Sequence, residues 1–187
     1  MQKYLLIIAL SCFVYSIKAQ SLNSGWEKRL SETLADFQEC APNTENKLNP
    51  CQFYTAESFA TVYNVKDFYS AKQKRYMILP EMVAYLETSK QWTLLGKGYD
   101  PKALTSAQDY ANAGRAVVAI YMNNDHLGHA SIILPGELKL SGTWGVKVPN
   151  SASFFTYNPE NSYLHKSLSY AYERSNLAKV QLYVRNY

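Results

Sequence analysis

The stretch Asn49-Pro50-Cys51-Gln52-Phe53-Tyr54 decides how this chain is interpreted. Pro50 suits the first turn of a helix, where no backbone donor is needed, and Asn49 suits the cap before it. The free N–H groups and the dipole of such a helix end stabilise a thiolate, so Cys51 is a candidate nucleophile. The helix itself is predicted by apolar residues that recur every three or four positions: Phe53, Ala56, Phe59, Ala60 and Tyr63.

Residues 1–19 form a predicted secretory signal peptide. Lys3 precedes the apolar run Tyr4–Leu10, and Ala19 ends the segment. Cys12 offers an alternative as a lipid-anchored cysteine, although Ala9-Leu10-Ser11 matches a lipoprotein signal poorly. No later stretch approaches the ~20 apolar residues of a transmembrane helix. We therefore expect an exported protein, periplasmic or extracellular, without a transmembrane segment.

The remaining residues, 20–187, are expected to form one domain. Lys3 and Lys18 leave with the signal, so 17 basic and 15 acidic residues remain, a net charge of +2. This charge is too small to indicate a nucleic-acid partner. The 16 tyrosines are many for this length. Most are expected to pack half-buried, but tyrosine-lined grooves also suit sugar or peptide ligands.

Helical periodicity dominates the first half of the chain and strand-length apolar runs the second. The expected fold is α+β, with N-terminal helices packed on a C-terminal antiparallel β-sheet. The helices are predicted at 25–40, 51–63, 80–86 and 100–114, and the strands at 116–121, 130–134, 145–148, 153–157 and 180–184.

His129 begins the second predicted strand directly after a glycine. A cysteine at a helix end and a histidine on an adjoining strand would give the thiolate–imidazolium pair that acyl transfer needs. A third polar residue normally orients the histidine ring. Asn150 is the candidate for that role, and Ser141 and Asn158 are alternatives.

The order of cysteine, histidine and polar residue, with a helix before a sheet, resembles the papain-like peptidoglycan hydrolases of the CHAP and NlpC type. Gln52 departs from the asparagine or serine that many relatives carry after the cysteine. The resemblance covers most of Cys51 to Asn150 and is carried by these stretches: Cys51-Gln52-Phe53-Tyr54, Val62-Tyr63, Ala107-Gln108, Ala111-Asn112 with Gly114, Gly128 to Gly136, Trp144-Gly145 and Val148-Pro149.

The resemblance implies a secreted amidase or endopeptidase that cuts amide bonds of bacterial peptidoglycan peptides, with an inhibitor or immunity protein as a possible partner. In that mechanism His129 takes the proton of Cys51 and the thiolate attacks the carbonyl. The backbone N–H of Cys51 helps to hold the oxyanion, His129 then protonates the leaving amine, and water hydrolyses the thioester. No cofactor is implied.

Cys40 opens an alternative, because an exported domain with two nearby cysteines often contains a disulfide. A Cys40–Cys51 bridge would occupy the proposed nucleophile. The chain would then be a catalytically inactive wall- or glycan-binding module of the same fold.

A zinc site is a further alternative, since Asp125, His126 and His129 are close in sequence and zinc amidases also cleave cell walls. Two histidines three positions apart in a turn do not share one helical face, and His165 stands alone, so no metal site is predicted.

Overall fold

Four α-helices, ten β-strands and several short 3-10 turns make up the part of the chain that the computed structural model describes, which is residues 22–41, 49–123 and 127–187. The predicted signal peptide lies outside these residues. The helices are α1 (Trp26–Glu39), α2 (Tyr54–Tyr63), α3 (Leu79–Thr88) and α4 (Pro101–Asn112). The strands are β1 (Tyr69–Ser70), β2 (Arg75–Tyr76), β3 (Trp92–Lys97), β4 (Val117–Met122), β5 (Gly128–Ile133), β6 (Lys139–Leu140), β7 (Lys147–Val148), β8 (Asn150–Ser153), β9 (Tyr163–Ser167) and β10 (Gln181–Arg185).

Six strands form the main sheet, in the order β3, β10, β4, β5, β8 and β9. Every neighbouring pair is antiparallel, including the predicted pair β4 and β5. The expected α+β class and antiparallel sheet are therefore confirmed. The last strand of the chain, β10, lies between β3 and β4, so residues from both halves build the sheet.

Successive side chains of a strand point to opposite faces, and both faces of this sheet are covered. The first core lies between the sheet and α1 to α3, and its sheet residues include Val118, Ile120, Ala130, Ile132 and Ala152. The second core lies on the other face with α4, and its sheet residues include Val117, Ala119, Ile133, Leu182 and Val184. The helices are thus not confined to one face, because α4 covers the face opposite to α1–α3.

Helix ends follow the sequence closely. The Asp100 side chain accepts a hydrogen bond from the N–H of Lys102 at 2.9 Å, and Pro101 begins α4 as expected. Gly114, just beyond the helix, has φ 76°, a left-handed conformation that favours glycine.

Two strands of the main sheet were not predicted. Trp92–Lys97 was interpreted only as a packing segment, and Tyr163–Ser167 lies where a turn or short helix was expected. Both are edge strands with exposed side chains, so their sequences lack the continuous apolar run of the buried strands. The described residues contain no helix long and apolar enough to cross a bilayer.

Candidate functional site

The segment before α2 forms the predicted capped helix start. Asn49 accepts a hydrogen bond from the backbone N–H of Cys51 at 2.9 Å through its side-chain Oδ1, and Pro50 follows it. The first turn, Pro50–Phe53, is a 3-10 helix that continues directly into α2. The expected capping residues are confirmed, with α2 itself beginning at Tyr54.

Cys51 is bonded to Cys40. The two Cα atoms are 5.9 Å apart, and Cys51 is only 4% exposed, within the first core. A sulfur in a disulfide carries neither the proton nor the negative charge that a nucleophilic thiol needs. The structure therefore places the expected nucleophile in the bridge that the sequence offered as the alternative.

The backbone N–H of Cys51 also differs from expectation. It was assigned to an oxyanion hole, but it donates to Asn49 in the helix cap. A donor that is already bonded to a side chain must break that bond before it can hold an oxyanion. The same cap that was expected to activate Cys51 therefore occupies this donor.

His129 points to the opposite face of the sheet from Cys51. Its neighbour Ala130 lies in the first core, and strand alternation directs His129 toward the second. There the ring stacks on Phe155, with centroids 4.5 Å apart and planes 7° apart, and contacts Tyr172 edge-on at 5.5 Å.

Burial determines the protonation state of His129. Its Nε2 is buried and has no hydrogen-bond partner among the described residues. Burial lowers the pKa of the imidazole to about 4, because the charged form is poorly solvated among the aromatic rings. The side chain is thus neutral near pH 7.

Asn150 lies far along the sheet from His129. It begins β8, and its backbone carbonyl accepts from Leu134, at the opposite end of β5. Its side-chain Nδ2 donates to Pro135 O at 2.8 Å and is 3.3 Å from Nδ1 of His165. The structure therefore brings Asn150 to a different histidine from the one it was expected to orient.

The two alternatives to Asn150 also occupy separate places. Ser141 is buried and accepts from the N–H of Trp144 at 3.1 Å, so it holds a turn next to β7. Asn158 is exposed and lies in the wall of the cavity that contains His129. Neither is hydrogen-bonded to the His129 ring among the described residues.

No model of a known protein family matches this chain, and no curated protein sequence matches it. The resemblance to papain-like hydrolases therefore stays a hypothesis. The geometry of the site carries the functional interpretation.

A cavity of about 410 Å³ opens at the end of the sheet where β5 begins, and we call it the aromatic cleft. His129 lies in its wall. Glu173 is the one charged residue among the described residues that line it. Its aromatic wall comes mainly from Tyr121, Phe155, Tyr157 and Tyr172, and its polar wall from Gln52, Thr55, Asn158 and Asn176.

The disulfide lies one layer behind this cleft. Phe37, one helical turn before Cys40, packs edge-on against Phe154 with centroids 5.3 Å apart. Phe154 in turn lines the cleft. Gln52 and Thr55 reach the cleft from the start of α2, whereas Cys51 is not in its lining.

The described residues contain no group of three His, Cys, Asp or Glu side chains placed to hold a metal ion. Asp125 and His126, which carried the zinc alternative, lie outside the described residues.

Sequence reasoning missed the residues that dominate the cleft, in particular Tyr157 and Tyr172. Tyr157 is 83% exposed, whereas Tyr172 is buried and donates to Ala119 O at 2.7 Å. The high tyrosine content was a signal for an aromatic groove, but it could not separate ligand-facing rings from packing rings. That separation depends on which rings meet at the start of β5.

Proposed function

We propose that this chain is an exported binding module, built on a papain-like architecture, that holds a saccharide of the bacterial cell wall in the aromatic cleft. The observation that carries this proposal is the Cys40–Cys51 disulfide. The bridge removes the thiol on which a cysteine hydrolase depends. Disulfides also persist mainly in oxidising compartments, which supports export to the periplasm or the cell exterior.

The histidine environment supports binding over catalysis. A general base in a thiol enzyme needs a cysteine within hydrogen-bond reach and a pKa near the working pH. His129 faces the other core from Cys51, and burial lowers its pKa to about 4. The His129 ring acts instead as part of the aromatic wall.

The cleft chemistry fits a saccharide. Exposed aromatic rings stack on the apolar faces of sugar rings, and amide and hydroxyl side chains hydrogen-bond the sugar hydroxyls. Tyr157 provides an exposed ring, and Gln52, Thr55 and Asn158 provide the polar groups. A ligand rich in hydroxyl and amide groups matches this wall better than a highly charged one.

The test is sedimentation of the mature protein with purified, insoluble peptidoglycan. We expect wild type to co-sediment and Tyr157→Ala to bind roughly two- to twelvefold more weakly, because a stacking ring contributes about 0.5–1.5 kcal/mol. Tyr99→Ala is the matched control, since Tyr99 is also exposed but lies outside the cleft. Equal binding of all three proteins, or none by wild type, would refute the proposal.

A second candidate function is the thiol hydrolysis of peptidoglycan peptides. One observation favours it: Gln52 and Thr55, which follow Cys51 at the start of α2, line the same cleft as His129. This function requires reduction of the disulfide and rotation of the Cys51 side chain toward the cleft. His129 would then take the thiol proton, the thiolate would attack the amide carbonyl, and His129 would protonate the leaving amine. Water would finally hydrolyse the thioester and release the free thiol of Cys51.

Digestion of peptidoglycan with and without reductant separates the two functions. The binding module releases no fragments under either condition. Release of peptide fragments by reduced wild type, but not by reduced Cys51→Ala, would establish the hydrolase instead. The mass of the purified protein gives an independent measurement, because a disulfide lowers it by two hydrogens.

A further inference from the structure

A second cleft adjoins the first. It has a volume of about 380 Å³ and lies beside the 3-10 turn Pro159–Asn161 and the edge strand β9. Phe155 and Asn158 line both cavities, so the two lie side by side. We call this cavity the lysine cleft, because Lys166 is the cation in its described lining.

The ammonium group of Lys166 lies against two tyrosine rings. Its Nζ is 5.5 Å from the ring centroid of Tyr163 and 5.4 Å from that of Tyr170. The two rings contact each other edge-on at 6.2 Å. Such cation–π contacts hold the ammonium in place without neutralising its charge.

Lys166 has no carboxylate within 4 Å among the described residues. Glu160 also lines the cleft without forming an ion pair with it. The cleft therefore presents a positive and a negative group separately. A ligand with one carboxylate and several hydroxyl or amide donors would complement both.

The two tyrosines have different roles. Tyr163 is 4% exposed, and its hydroxyl is hydrogen-bonded to Ser151 Oγ at 3.0 Å, so it fixes the back of the cleft. Tyr170 is 68% exposed and is not held in this way, which leaves most of its ring surface available. An exposed ring beside an ammonium group is suited to a sugar ring that carries an acid.

We propose that the lysine cleft is a subsite for a carboxylate-bearing sugar, with the acid paired to Lys166 and the sugar ring stacked on Tyr170. The inference rests on the proposed saccharide-binding function and deepens it. The neighbouring sugar of the same ligand occupies the aromatic cleft. The pair of clefts thus distinguishes acidic from neutral saccharides.

Isothermal titration calorimetry with two matched disaccharides tests this subsite. The neutral probe is N,N′-diacetylchitobiose, and the acidic probe is N-acetylglucosaminyl-N-acetylmuramic acid, which adds a lactyl carboxylate. We expect wild type to bind the acidic probe more tightly, with the difference decreasing as salt is added. Lys166→Gln should lower the affinity for the acidic probe on the order of fivefold and leave the affinity for the neutral probe unchanged.

Two further variants complete the test. Lys166→Arg should keep the preference for the acidic probe, because arginine carries the same charge. Tyr170→Ala should lower the affinity for both probes. Lys102→Gln is the control, since Lys102 is an exposed lysine on α4 away from both clefts. Equal affinity of wild type for the two probes, unchanged in Lys166→Gln, would overturn the subsite alone. Failure of wild type to bind either probe would overturn the proposed function as well.

Discussion

The imidazole of His129 lies parallel to the ring of Phe155, with centroids 4.5 Å apart and Nε2 buried without a partner. This stack lies on the second-core side of the sheet, whereas Cys51 lies in the first core. The side chains of the two residues that the sequence pairs for catalysis therefore point toward different cores. The neutral histidine, whose Nε2 is buried, also has a measurable consequence for stability.

Acid should destabilise the protein through His129. The folded pKa is about 4 and the ordinary value is 6.5, so between these values the unfolded chain binds the proton more strongly. The contribution of the neutral His129 to the unfolding free energy is fully present above about pH 6.5 and decreases as the pH falls toward 4. The loss from this group should reach roughly 2 to 3 kcal/mol near pH 4.5, measured by urea unfolding.

The variant His129→Phe serves as the comparison for the acid prediction. A phenyl ring can stack on Phe155 but cannot take up a proton. We expect its unfolding free energy to depend less on pH between 6.5 and 4.5 than that of wild type. Identical pH dependence in the two proteins would show that His129 is not the titrating group.

Loss of the disulfide should destabilise the fold without removing the cleft. The bridge closes a loop between residues 11 positions apart, so the double variant Cys40→Ser/Cys51→Ser should lose about 3 kcal/mol of unfolding free energy. The variant should still bind peptidoglycan, because the cleft lining excludes both cysteines. Complete loss of binding in a protein that remains folded would contradict this separation of roles.

Gln108 should be among the most sensitive polar residues. It is 2% exposed, its Nε2 donates to Leu134 O at 2.9 Å, and its Oε1 accepts from Asn150 N at 2.8 Å. Gln108→Ala leaves two buried backbone groups unpaired and should cost about 2 to 4 kcal/mol in urea unfolding. The exposed Gln91→Ala, as control, should change stability by less than about 0.5 kcal/mol.

Breaking the ion pair of Asp67 and Arg185 should destabilise the protein far more than breaking a surface pair does. Arg185 Nε is 2.7 Å from Asp67 Oδ2, and Trp92 Nε1 donates to the same oxygen at 3.0 Å. Asp67→Asn should lower the unfolding free energy by about 3 kcal/mol, because the largely buried Arg185 loses its negatively charged partner. Thermal unfolding at low and high salt gives the measurement.

The exposed pair Lys28 and Glu32 on α1 is the matched control for Asp67→Asn. Lys28→Gln should cost less than about 0.5 kcal/mol and the difference should vanish at high salt. If Asp67→Asn were equally mild, the partly buried pair would not be a major determinant of stability.

Several motifs behind the papain-like resemblance have structural roles. Gln108 and Asn112 bind the backbone of the segment after β5, where Asn112 Nδ2 donates to Gly136 O at 3.0 Å. Gly136 packs so closely on Asn150 that a Cβ atom would lie 2.7 Å from its Nδ2. The spacing of these residues was visible in the sequence, but a hydrogen-bonded amide network gives the same spacing as an active site.

The sequence alone determined the elements whose signals are local. The Asn49 and Asp100 caps, the amphipathic face of α1 and the apolar runs of β4 and β5 depend on neighbouring residues, and short-range sterics and hydrogen bonding decide them. The tertiary structure decided where side chains meet. Strand alternation sends His129 away from Cys51, packing of α1 on α2 brings Cys40 to Cys51, and sheet register places Asn150 at the far end. These relationships depend on contacts between distant parts of the chain, and the local sequence pattern does not contain them.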